Sequence, residues 1–121
     1  MGKVESPKDR HQPVKSWGRE EWIVNNEMYC GKRLHFERAG GCTSLHLHVN
    51  KHETMYVERG RFTVTIIDQE TVQPVEHVLN QGDSIVIEPY TIHRITADKN
   101  LSVMLEFSTH HEDSDSYRVS R

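Results

Sequence analysis

From Trp22 to Phe107 the chain never sustains the three-to-four-residue apolar period of an amphipathic helix. It runs instead as short Val-, Ile-, Leu-, Phe- and Thr-rich stretches separated by Gly, Asn, Asp and Pro. Runs of this length and composition fold as strands, and their regular spacing restricts the chain to an all-β sandwich or small barrel. Strands are expected at 20–25, 28–37, 43–49, 53–59, 61–68, 75–79, 84–88, 92–97 and 101–107. With 121 residues, one core is expected: a polar segment at 1–15, a folded domain at 16–109, and a polar tail at 110–121 whose His110 to Ser116 stretch reads as solvated.

The middle of the chain allows a finer reading. If Arg59-Gly60 is a tight hairpin turn, Val57 lies opposite Phe62 and Met55 opposite Val64. Met55, Val57, Phe62, Val64 and Ile66 then share one face, and Thr54, Tyr56, Glu58, Arg61, Thr63 and Thr65 the other. The first face is the expected interior, and Glu53 belongs to it by parity.

Three ligand candidates follow from the same geometry. His46 and His48 are two apart on a strand, so their rings point the same way from backbones roughly 6–7 Å apart. A hairpin within 49–52 would set Glu53 opposite His48. His93, after the Glu88-Pro89-Tyr90 corner, is the fourth candidate. Three imidazoles and a carboxylate suit one divalent transition metal ion such as Zn, Mn, Ni or Fe, with positions left for water or substrate. The other histidines, at 11, 35, 52, 77, 110 and 111, lack such a constellation and read as solvated or local.

Composition narrows the partners. Fifteen basic and eighteen acidic residues are interspersed, giving a net charge of −3 and no basic stripe, so no nucleic-acid partner is expected. Met1 to Ser16 has no apolar leader, and no apolar run is long enough to span a bilayer, so the reading is a cytoplasmic protein without a membrane partner. Cys30 and Cys42 are then expected to be reduced and buried. Leu45, Leu47 and Val49 alternate with the ligands and form an apolar stripe on the outer face. An N-terminal strand such as Trp22-Ile23-Val24, of the same or another chain, is expected to cover it, hence a homodimer.

These residues resemble the cupin superfamily. Its first motif, Gly, five residues, His-x-His, four residues, Glu, six residues, Gly, is met by Gly40, His46, His48, Glu53 and Gly60. In the second motif Gly82 and His93 are in place, while Glu88, Tyr90 and Ala97 stand where Pro, Gly and Asn are usual. The resemblance implies a double-stranded β-helix, or jelly-roll, barrel.

Within that superfamily the chain is similar to the type II mannose-6-phosphate isomerase branch, over Trp17 to Trp22, Lys32-Arg33-Leu34, Ser44 to His48 with Lys51 and Glu53, Ile87 to Ile95, and Glu106 to Thr109. His46 departs from that branch, where Gln is common, as does Tyr117-Arg118-Val119, where Tyr-Gly-Arg is usual. The likeness implies a metal-dependent enzyme acting on a sugar or sugar phosphate by aldose-ketose isomerisation or epimerisation. Lys32, inward by strand parity, and Arg94, matched to the family's Arg, would anchor the anionic end, although parity sets Arg94 on the face opposite His93. Two other readings stay open: a non-catalytic sugar-binding or accessory cupin, and a non-heme iron oxygenase.

Overall fold

The computed structural model describes residues 1–120. Eleven strands make two antiparallel sheets: β1 (Val14–Lys15), β2 (Gly18–Asn25), β3 (Cys30–Phe36), β4 (Leu45–His48), β5 (Glu53–Arg59), β6 (Arg61–Ile67), β7 (Pro74–Asn80), β8 (Ser84–Ile87), β9 (His93–Ala97), β10 (Ser102–Ser108) and β11 (Ser116–Ser120). One sheet runs β1-β2-β3-β10-β5-β8 and the other β11-β4-β9-β6-β7. The nine expected strands are all present, and the jelly-roll expectation holds.

The expected hairpins do not form. β5 pairs with β10 and β8, whereas β6 pairs with β7 and β9, so the chain crosses between sheets at Arg59-Gly60. Gly60 has φ +84°, and a Cβ there would run into the Ser102 side chain, so the corner requires glycine. The loop after β4 likewise changes sheets, and His48 meets Glu53 across the interior rather than as a cross-strand neighbour. The assignment of faces survives because parity belongs to each strand alone: Met55, Val57, Phe62 and Val64 are buried, and Ile66 packs partly buried against them.

Four strands share a gradient along the barrel. Their inward residues run Lys32, Leu34, Phe36 on β3; Glu106, Met104, Ser102 on β10; Glu53, Met55, Val57 on β5; and His93, Ile95, Ala97 on β9, all buried. One end is filled by apolar side chains, with Phe36 stacked on Trp17 at 4.2 Å and edge-on to Phe62 at 5.1 Å. Each such side chain contributes about 1.5–3 kcal/mol by leaving water, and this closed end holds the polar end in place.

The ends of the chain correct two readings. Segment 110–121 is not solvated throughout: His111 and Asp115 are buried, and β11 pairs with β4. Asp115 accepts the backbone N–H groups of Val49, Asn50 and Lys51 at 3.0–3.1 Å, fixing the loop between β4 and β5. Asp115→Ala should therefore destabilise the fold by about 2 kcal/mol, the scale of hydrogen bonds to a charged acceptor, as read by urea denaturation. Leu45, Leu47 and Val49 are half-buried within the single chain, and β2 lies in the other sheet, so the N-terminal strand of this chain does not cover that stripe. Cys30 is buried as expected, whereas Cys42 is exposed.

Candidate metal centre

The ligand-bearing positions converge where β4 and β9 pair, with His46 opposite His93. One ring nitrogen from each of His46, His48 and His93 lies within 4.8 Å of the others. Glu53 is outside that mutual distance but adjacent to two members, its Oε2 being 3.5 Å from His48 Nε2 and 3.9 Å from His93 Nε2. The four expected ligands are thus brought together, three as a cluster and one beside it.

Hydrogen bonds fix which nitrogens face the cluster. His46 Nδ1 donates to the Ser44 carbonyl and His93 Nδ1 to the Thr91 carbonyl, each at 2.8 Å and two residues back. Both rings therefore keep Nε2 as an unprotonated donor atom for a metal. Among the described residues, buried Glu53 Oε2 and His48 Nδ1 have no hydrogen-bond partner.

Electrostatics point the same way. Burial, with Lys51 and the neighbouring imidazoles adding to it, holds His48 down to about 2; burial and then His46 hold His93 down to about 4. Burial and the nearby Glu106 push the Glu53 carboxyl up to about 8. Neutral imidazoles around a carboxyl that cannot keep its charge alone form a site that a cation completes. The residues present fit a divalent transition metal ion.

The cluster lines a cavity of about 670 Å3 with more chemistry than the metal candidates. Lys32 points inward as parity requires, nearly fully buried, with Nζ 3.3 Å from Glu20 Oε1 and 4.2 Å above the Trp22 ring. Lys51 Nζ lies 3.1 Å from Glu106 Oε2 and 2.9 Å from His111 Nδ1, while His111 Nε2 is 2.9 Å from Asp113 Oδ1. Arg94, the second expected anchor, is not brought in. It follows inward His93 on β9 and therefore faces outward, with Nε donating to the Thr43 carbonyl at 3.2 Å.

Tyr90 does not line the cavity. It is exposed at φ +68°, a conformation that glycine adopts freely, which gives a physical reason for the usual Gly at that motif position. Sequence reasoning leaves Glu106, His111 and Arg118 without a role at the site. Parity with Met104 could have found Glu106; nothing local in the sequence marks His111.

A protein-family model described as Cupin matches residues 6–119. Comparison with curated proteins finds no match. Among solved structures, the chain is similar to the capsular polysaccharide assembling protein CapF of Staphylococcus aureus, at 14% identity and TM-score 0.81 over 93% of this chain and 33% of that one. It is also similar to the oxalate decarboxylase of Bacillus subtilis, at 20% identity and TM-score 0.79 over 98% of this chain and 33% of that one. KdgF from Halomonas sp. matches at 18% identity and TM-score 0.76, over 94% of this chain and 98% of that one. The chain spans about a third of the CapF and oxalate decarboxylase chains but nearly the whole of KdgF. At these identities the likeness is one of fold.

Proposed function

We propose, from the premise that this chain belongs to the cupin family, that it is a metal-dependent enzyme acting on a sugar or sugar phosphate by aldose-ketose isomerisation or epimerisation. The observation that carries this reading is the convergence of three imidazole nitrogens and Glu53 within an open cavity whose walls also present lysines. The likeness of residues 17 to 109 to the short relatives of type II mannose-6-phosphate isomerase supports the choice of substrate.

A divalent ion held by His46, His48, His93 and Glu53 would supply Lewis acidity to a carbonyl and its neighbouring hydroxyl. The surrounding side chains have separate tasks. Lys51, fixed between Glu106 and His111, presents an ammonium group to the cavity and opposes the negative charge that develops on substrate oxygens as the proton alpha to the carbonyl leaves. Lys32, held by Glu20 and the face of Trp22, presents a second fixed ammonium group to the cavity.

Protein loaded in turn with Mn, Zn, Ni and Fe should exchange with D2O the proton alpha to the carbonyl, on C2 of an aldose phosphate or C1 of a ketose phosphate, followed by proton NMR. His48→Ala should lower that rate by roughly a thousandfold, the loss of several kcal/mol of charge stabilisation. If no form exchanges the proton while sugars still bind and His48→Ala leaves their affinity unchanged, the chain is a non-catalytic sugar-binding module. Oxygen uptake by the Fe form alone would instead favour an oxygenase.

A further inference from the structure

We infer that Arg118 binds the anionic group of the substrate, so that the cavity selects small molecules carrying a phosphate or carboxylate in addition to the oxygens that reach the metal site. This rests on the proposed function and adds the charge of the substrate and the residue that reads it.

Strand register is the first ground. β11 runs antiparallel to β4 with Arg118 opposite His46 and Ser116 opposite His48. Directly opposed residues of an antiparallel pair project to the same face. The guanidinium therefore shares the face of the two imidazoles, and all four residues line the cavity. Tyr117 and Val119, of the other parity, do not line it and are each about half exposed.

Charge pairing is the second ground. Lys32 and Lys15 face Glu20 at 3.3 and 3.8 Å, and Lys51 faces Glu106 at 3.1 Å. Among the described residues, the Arg118 side chain makes no hydrogen bond or ion pair, its backbone being paired with β4. Among the described residues, the cavity wall carries as many carboxylates as lysines and arginines, so a divalent ion adds two surplus positive charges to them. An anionic ligand offsets that surplus. The planar fork of an arginine suits two oxygens of a phosphate or carboxylate better than it suits a neutral hydroxyl. Arg94, which the family likeness put forward for this task, lies on the outward parity of β9, whereas Arg118 lies on the inward parity of β11.

Calorimetric titration of Mn-loaded wild type, Arg118→Gln and Arg118→Lys with fructose 6-phosphate, gluconate and fructose tests the assignment. Wild type should bind at least one of the two anions about tenfold tighter than fructose, the worth of one charge-assisted contact of about 1.4 kcal/mol. Whichever anion wins identifies phosphate or carboxylate as the recognised group. Arg118→Gln should remove the tenfold preference with the affinities for fructose and Mn unchanged, and Arg118→Lys should restore part of it. A preference that survives Arg118→Gln, or no preference in wild type, overturns the role of Arg118 and leaves the proposed function standing. Failure of all three probes to bind the loaded wild type overturns both.

Discussion

Lys51→Met should destabilise the metal-free protein by about 3–5 kcal/mol at neutral pH, the usual cost of removing one partner from a buried ion pair. Lys51 and Glu106 are both buried, 3.1 Å apart. Burial works against the lysine charge, yet Glu106 and then Glu53 outweigh it and raise the lysine above its ordinary value. Burial likewise works against the Glu106 carboxylate, and Lys51 followed by Lys32 outweighs it and holds the group at about 2. Methionine fills the same volume but leaves the carboxylate without its principal partner.

The double variant Lys51→Met/Glu106→Leu should recover most of the loss, because replacing both members with apolar groups leaves no stranded charge. The acid limb gives a second readout. The folded value of Glu106 lies below the unfolded one, so its contribution is present above the ordinary carboxylate range and is lost as pH falls toward 2. The gap between wild type and Lys51→Met should therefore narrow over that range in urea melts. A single-variant cost below about 1 kcal/mol, the scale of an exposed pair, would show that the pair is solvated.

Much of the site can be read from parity along single strands, and little from pairing between them. Alternation alone places His46, His48 and Glu53 on the interior, and that placement holds. The same alternation sets Lys32 inward and Arg94 outward. Which strands become neighbours is not legible, because a short loop containing Gly60 can close a hairpin or carry the chain across to the opposite sheet. Steric contact with Ser102, more than forty residues away in the chain, belongs to the second outcome.

The polar ends are opaque for a different reason. Asp115 and His111 are buried by what they bind, three backbone N–H groups of the β4–β5 loop in one case and Lys51 and Asp113 in the other. Burial of that kind leaves no apolar periodicity to detect. Arg118 is similar: its role depends on β11 pairing with β4, and the sequence of that strand resembles a solvated tail.

Affinity for a divalent ion should rise about tenfold per pH unit between pH 5 and 7, with roughly one proton released per ion bound. In the metal-free site His48 and His93 are held down to about 2 and 4, and His46 also lies below its ordinary value, burial being the largest cause for each. His48 and His93 therefore carry no proton for a metal to displace in this range. Glu53 does, because burial and Glu106 push its carboxyl up to about 8. Its folded value lies above the unfolded one, so in the metal-free protein its contribution to stability is present below the ordinary carboxylate range and is lost as pH rises through about 8. A bound cation supplies the charge that the carboxylate lacks, so the loaded protein should become more stable over the interval in which the metal-free protein becomes less so. Calorimetry in buffers of different ionisation heat counts the protons, and elemental analysis should give one ion per chain. Glu53→Gln should abolish both the proton release and the pH slope while the three imidazoles still bind more weakly. Release of two or more protons would show that the imidazoles are charged in the free site, and a flat profile would show that Glu53 is already ionised there; either result would remove the electrostatic argument for a site that a cation completes.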